Sequence, residues 1–205
     1  MKPFNPLDKR NLGASVAKEL LFRPVELLPP PLFAGAGVYA IYYAGLHQPY
    51  PPYEPIATHA CEPELAVPIY VGKAVPAGAR TGGFGLDAPP GNVLFLRLRE
   101  HAESINQARN LNPLDFHCRH LTVDDIWIPL AESVLIEMFS PIWNTTVAGF
   151  GNHAPGGGRE RQRRSAWDVL HPGRPWAERL PPSARTEAEI IFAVERALTT
   201  RTTEP

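Results

Sequence analysis

Apolar positions recur along this chain with two different periods. Residues 37–43 read Gly-Val-Tyr-Ala-Ile-Tyr-Tyr and residues 69–73 read Ile-Tyr-Val-Gly-Lys. Both runs are short, rich in β-branched and aromatic side chains, and bounded by Gly and Pro, which predicts strands with one buried face. Period-two alternation puts Val38, Ala40 and Tyr42 on one face and Tyr39, Ile41 and Tyr43 on the other. The connecting loop is too long and too proline-rich for a tight hairpin. Alternation returns at residues 115–121 and predicts a third strand, whose histidines read as surface residues. Helical periodicity appears at residues 92–108, where Leu94, Leu98, His101 and Ile105 share a stripe and Arg97 lies one step around. It recurs at residues 125–139, closed by Pro141, and at residues 187–198 with Ile190, Ile191, Val194 and Leu198 on one side. An amphipathic stretch at residues 14–22 predicts an N-terminal helix that ends before Pro24 and the Pro29-Pro30-Pro31 arm.

These elements predict an α/β (α+β) fold, a small, mainly antiparallel three-stranded sheet flanked by helices. At 205 residues the chain supports one substantial core. We therefore expect a single domain over 1–205: N-terminal helix and arm at 1–34, core at 35–148, elaboration at 149–205. The 24 prolines and 16 glycines assign much of the chain to loops. The loops at 44–67 and 74–91 exceed ordinary connections, and the second carries Arg80 among glycines. No window reaches the length of a membrane span, and the first residues lack the apolar run of a signal peptide, so a cytoplasmic protein is expected. Cys61 and Cys118 have no metal-ligand spacing and read as free thiols. A net charge of -1 argues against indiscriminate nucleic-acid binding but leaves room for a local basic surface.

Several positions exceed what a core requires. Each of the first two strands carries a tyrosine and a glycine, and a glycine within a strand often marks close approach by a ligand or another backbone. Arg97 and His101, four apart on a helix, can present a guanidinium and an imidazole to one point, which suits a phosphate and its proton traffic. At 100° per residue Glu132 falls between Ile128, Leu135, Ile136 and Phe139, where a carboxylate requires a metal or a tight polar partner. Glu137, on another side, is the weaker candidate. Residues 156–164 form a flexible basic stretch, followed by His171-Pro172-Gly173-Arg174-Pro175-Trp176.

Gly37-Val38-Tyr39 and Tyr70-Val71-Gly72 resemble the two signature tripeptides of the GIY-YIG nuclease superfamily, with valine replacing isoleucine in both. Arg97-Leu98-Arg99-Glu100-His101, Glu132 and Pro141-Ile142-Trp143-Asn144 follow in that superfamily's order of arginine, metal-binding glutamate and asparagine. Residues 68–77, 149–158 and 167–176 are similar to one branch, the Type II restriction endonucleases that cut CCGCGG palindromes, and the likeness spans roughly residues 29–177. The resemblance implies a nuclease that makes double-strand breaks in duplex DNA at a short GC-rich palindrome. It implies catalytic roles for Tyr39, Tyr70, Lys73, Arg97, His101, Glu132 and Asn144. Glu132 would hold one Mg²⁺ per active site, with Mn²⁺ as a substitute, and Asn144 would brace the site from behind. Lys73 and the metal would ease proton loss from Tyr39. Arg80, Arg99, Arg159, Arg161, Arg163, Arg164 and Arg174 would contact DNA. Cutting both strands of a palindrome implies a homodimer, and a restriction system implies a cognate DNA methyltransferase. Two rivals share the motifs: a structure-specific or homing-type nuclease, and a catalytically silent DNA-binding protein.

Overall fold

A computed structural model describes Asn5 and residues 8–60, 67–76, 91–153 and 162–202. Among these, strands β1 (Glu26–Leu27), β2 (Gly37–Tyr43), β3 (Tyr70–Ala74) and β4 (Phe116–Thr122) form one antiparallel sheet in the order β1-β4-β2-β3. The helices are α1 (Lys9–Phe22), α2 (Glu54–Ala60), α3 (Val93–Gln107), α4 (Ile128–Phe139), α5 (Ile142–Thr145), α6 (Ala166–Leu170), α7 (Pro175–Glu178) and α8 (Glu187–Thr202). The sheet thus has one strand more than the sequence predicts. Two residues set between Pro24 and Pro29 carry no readable alternation, so β1 is legible only through its pairing with Cys118 and His117 of β4.

β2 is central, and all seven of its residues are buried on both faces, where the sequence predicted one. Val38, Ala40 and Tyr42 pack with Ala17 and Leu20 of α1 and with Ile128, Ala131 and Leu135 of α4. Tyr39, Ile41 and Tyr43 pack instead with Leu94, Leu98 and Ile105 of α3, Trp143 of α5, Trp167 of α6 and the Ile190, Val194 and Leu198 stripe of α8. The sheet is therefore a middle layer: α1 and α4 lie on one side, and α3, α5, α6 and α8 on the other. Burial of both faces explains why β2 reads as a nearly continuous apolar run.

Helix boundaries follow local chemistry. α1 begins five residues earlier than its periodicity suggests, because the Asp8 carboxylate caps it by accepting from the Arg10 amide at 2.9 Å. α4 begins after a 3₁₀ turn at Asp125–Trp127 and ends at Ser140, whose φ of 40° is left-handed, just before Pro141. α2 follows two prolines and contains a third, so its segment reads as loop in sequence. α8 runs to Thr202, four residues beyond the periodicity that ends at Leu198. Cys118 is a buried free thiol, while Cys61 lies outside the described residues. His117 and His120, expected at the surface, are half-buried; the His120 ring stacks on Phe33 with centroids 3.9 Å apart.

Candidate active site

Tyr39 of β2 lies directly across from Gly72 of β3. A Cβ at Gly72 would collide with the Tyr39 hydroxyl and come within 3.0 Å of the Tyr70 ring, so only glycine accommodates both phenols. From above, α3 lowers two side chains one turn apart. His101, 2% exposed, meets the Tyr39 hydroxyl through Nε2 at 2.6 Å. Arg97 lies close enough to Tyr39 for its charge to favour the phenolate. Its Nη2 donates to the Gly151 carbonyl at 2.8 Å, and its Nη1 donates to Glu100 at 3.0 Å and also contacts His153. Tyr70 turns its ring edge toward both His101 and Phe150, and Phe150 stacks on the His101 imidazole with centroids 4.5 Å apart and planes 20° from parallel. Tyr39, Tyr70, Arg97 and His101 are thus gathered on one side of the sheet. An open groove of about 590 Å³ runs past Arg97 and His101, lined also by Arg99, Phe150, Trp176 and Arg179 among others, with both tyrosines behind it.

The electrostatics keep this cluster neutral except at Arg97. Burial pushes the Tyr39 phenol well above its usual pKa, and the neighbouring Tyr70 adds to the rise, while Arg97 pulls it back. Tyr70 is raised by burial as well, again opposed by Arg97. His101 is pushed well below the usual imidazole value by burial first and by the Arg97 charge second. Tyr39 and His101 therefore rest as phenol and imidazole, and Arg97 is the cation that favours ionisation of the phenol. This revises the expected part of Lys73, whose Nζ is instead engaged with Glu132 Oε2 at 2.6 Å.

Glu132 sits at the rim of the buried stripe of α4, with its side chain 21% exposed. Its predicted neighbours divide: Ile128 and Leu135 are buried, whereas Ile136 and Phe139 are only half-buried. The tight polar partner that the sequence demanded is Lys73. The negative charge of Glu132 nonetheless reaches Tyr39 and Tyr70, raising the pKa of both. No group of three or more His, Cys, Asp or Glu that could hold a metal occurs among the described residues. A divalent cation here would rest on the one carboxylate, completed by water and phosphate oxygens. That donor set fits Mg²⁺, which commonly binds through one or two carboxylates and keeps several waters. The Lys73 ammonium already marks the carboxylate as a cation's partner.

Asn144, in the last turn before the α5 terminus, reaches back to β3. Its Nδ2 donates to the Val71 carbonyl and its Oδ1 accepts from the Val71 amide, both at 2.8 Å. The amide fixes the backbone between Tyr70 and Gly72.

The expected DNA-contacting arginines separate into three groups. Arg99 and Arg163 are exposed. Arg164 donates to the carbonyls of Ala177 and Glu178 at 3.3 and 2.9 Å, which ties it to the end of α7. Arg174, expected at a DNA surface, is 1% exposed and bonded inside the protein. Arg80, Arg159 and Arg161 lie outside the described residues.

Several participants carried no sequence signal of their own. Gly151, Phe150 and His153 reach the cluster from a loop whose residues share no period with α3. Asp168 binds the Arg174 Nε at 2.7 Å from a one-turn helix. The signal that touched this segment was the family resemblance of residues 149–158, and a Cβ at Gly151 would come 2.7 Å from the Tyr70 hydroxyl.

Residues 31–198 match the family described as the Eco29kI GIY-YIG domain. No curated protein sequence matches the chain.

Proposed function

This chain belongs to the Eco29kI GIY-YIG domain family, and on that premise we propose that it is a Type II restriction endonuclease. It makes double-strand breaks in duplex DNA at a short GC-rich palindrome of the CCGCGG kind, by metal-dependent phosphodiester hydrolysis. The observation that supports this reading best is the convergence of Tyr39, Tyr70, Arg97 and His101 over Gly72, with the Glu132 carboxylate close enough to act on both phenols.

Hydrolysis requires a water in line with the leaving 3′-oxygen, a proton acceptor and compensation of the charge on the phosphate. Arg97, held by Gly151 and Glu100, clamps a non-bridging phosphate oxygen through its guanidinium fork. Tyr39 and Tyr70 orient the water. As the water oxygen bonds to phosphorus and the P–O3′ bond breaks, the water's proton passes to the Tyr39 oxygen and the Tyr39 proton moves to His101 Nε2 across 2.6 Å. The step leaves a 5′-phosphate, an imidazolium whose charge faces the phosphate, and a 3′-oxyanion that becomes the 3′-hydroxyl by taking a proton from solvent water. Glu132 would hold a Mg²⁺, which when bound would supply neutralisation of the charge that develops in the step. Asn144 keeps Tyr70 and Gly72 in register.

One such cluster cuts one strand, so the active species is a homodimer with each subunit on a half-site. A cognate DNA methyltransferase protects the host's own sites, and the enzyme works in the cytoplasm. Digestion of a randomised plasmid library with Mg²⁺, followed by sequencing of the ends, tests the reading. A single palindromic cut site is the expected outcome. Ends scattered without a consensus, or nicks confined to branched DNA, overturn it.

A further inference from the structure

Arg174 is one of the largest fully buried side chains of the protein, and hydrolysis as derived above gives it nothing to do. Its Nε binds Asp168 Oδ1 at 2.7 Å, and Asp168 Oδ2 accepts from the Ser165 hydroxyl at 2.6 Å, so the carboxylate is fixed at the N-terminus of α6. Arg174 Nη1 donates to the carbonyls of Phe150 at 3.0 Å and Asn152 at 3.2 Å, and Nη2 donates to the Gly149 carbonyl at 3.0 Å. The guanidinium carbon lies 4.4 Å from the centroid of Trp167 and 4.6 Å from that of Trp176. Three of four consecutive carbonyls thus turn toward one cation. The carbonyl between them, that of Gly151, turns the other way and receives Arg97. Phe150, in the same segment, supplies the ring on which His101 stacks.

We infer that Arg174 is a positioning residue for hydrolysis. By gathering the carbonyls of Gly149, Phe150 and Asn152 it presents the Gly151 carbonyl to Arg97 and the Phe150 ring to His101. The planar fork is what the task needs: a compact ammonium carries the same charge but cannot reach three carbonyls and a carboxylate in one plane. The inference rests on the nuclease reading for its catalytic consequence, but not for its geometry.

Arg174→Lys retains the charge opposite Asp168 and removes the fork. Three measurements decide: single-turnover cleavage of supercoiled plasmid DNA with Mg²⁺, binding of the same DNA with Ca²⁺ in place of Mg²⁺, and the ring-proton NMR signals of His101, which sense the stacked Phe150. The expected result is a cleavage rate reduced about 10- to 100-fold, DNA affinity within about two-fold of the original, and His101 signals moved toward unstacked positions. An unchanged rate, or unmoved His101 signals in a folded variant, overturns the inference and leaves Arg174 as a stability element alone. Should Arg174→Lys not fold, Trp176→Leu, altered at the half-buried side of the stack, is read the same way. It is expected to lose about 3- to 10-fold in rate with a smaller shift at His101, and unmoved signals there overturn the inference equally. If the unaltered protein cuts no DNA, the nuclease reading fails, whereas the His101 signals still decide whether Arg174 positions the cluster.

Discussion

Two tyrosine–histidine pairs in this protein are nearly identical in geometry and opposite in surroundings. Tyr39 meets His101 Nε2 at 2.6 Å, and Tyr53 meets His171 Nε2 at 2.6 Å. Both phenols are fully buried and raised well above their usual pKa, and both imidazoles are pushed down, His171 to about 3, by burial first and a nearby arginine second. Yet the second pair is closed on every side that matters. The Trp143 indole donates to Tyr53 at 2.8 Å, and His171 Nδ1 meets Asn110 at 3.0 Å, so each polar atom is spent on the core. The first pair has Arg97 acting on its phenol, and an open groove lined by Arg97 and His101 runs along its imidazole side. A short Tyr–His hydrogen bond is therefore not in itself a catalytic device. What distinguishes the site is a cation that acts on the phenol as well as the imidazole, and an open groove at Arg97 and His101.

The hardest test of that contrast removes each hydroxyl in turn. Tyr39→Phe should slow single-turnover DNA cleavage by about 10³-fold, within the range a lost acid–base group costs, and lose about 1 kcal/mol in urea because His101 Nε2 is left without its partner. Tyr53→Phe should cleave within about three-fold of normal while losing more stability, about 1–3 kcal/mol, because it strands both the Trp143 N–H and an edge of His171. If both variants cleave alike, the pairs are equivalent and the assigned site is wrong.

A second pair of twins sharpens the same point with carboxylates on one helix. Glu132→Gln should bind DNA in Ca²⁺ and cleave about 10²-fold or more slowly, since a lost metal contact is worth several kcal/mol at the leaving oxygen. Glu137→Gln, exposed on α4, should cut normally in the same assay. A fully active Glu132→Gln would remove the metal from the proposed chemistry.

Proton linkage should treat the two histidines alike even though chemistry does not. Both have folded pKa values below the unfolded value of about 6.5, so their contribution to stability is present above that pH and is lost as pH falls through it. Below about pH 6 each adds up to about 1.4 kcal/mol per pH unit to the loss until its own folded pKa is passed, which for His171 is about 3. Urea denaturation across that window should show His101→Asn and His171→Asn each flattening the slope by about one proton, while only His101→Asn abolishes cleavage. An unchanged slope in either variant would mean that its ring is already protonated in the folded protein.

The smallest effects concern the arginines. Arg99→Ala and Arg163→Ala, both exposed, should each lower the slope of log affinity against log salt by about 0.9, the value for one released phosphate contact. Arg164→Ala should leave the slope alone and cost stability, since its donors already serve the end of α7. Equal slopes for all three would erase the division between cations that face DNA and cations that hold the fold.

Periodicity made the scaffold legible. The Leu94, Leu98, His101, Ile105 stripe is buried as a unit, and the alternation of β2 sorts its residues onto two faces as the sequence predicts. Period alone could not say that both faces are covered, because that depends on α1 and α4 packing on one side and α3, α5, α6 and α8 on the other. Nor could it find Arg174, since a His-Pro-Gly-Arg-Pro-Trp run reads as a solvated basic loop. Its buried state comes from a carboxylate six residues earlier and from carbonyls more than twenty residues away, which no local pattern records. Lys73 and Glu132 show the intermediate case. The apolar sector correctly demanded a partner for the glutamate, but the identity of that partner required β3 and α4 to be brought together.

The amide of Asn144 has a consequence for solubility. β3 is the last strand of its sheet, and a terminal strand offers unpaired backbone groups to any other chain that could dock alongside. At Val71 both outward groups are already taken by one side chain, which acts as a single-residue substitute for a neighbouring strand. The same contact that holds Tyr70 and Gly72 in place therefore blunts the sheet against edge-to-edge self-association, and a chain lacking that amide would be prone to aggregate by strand addition there.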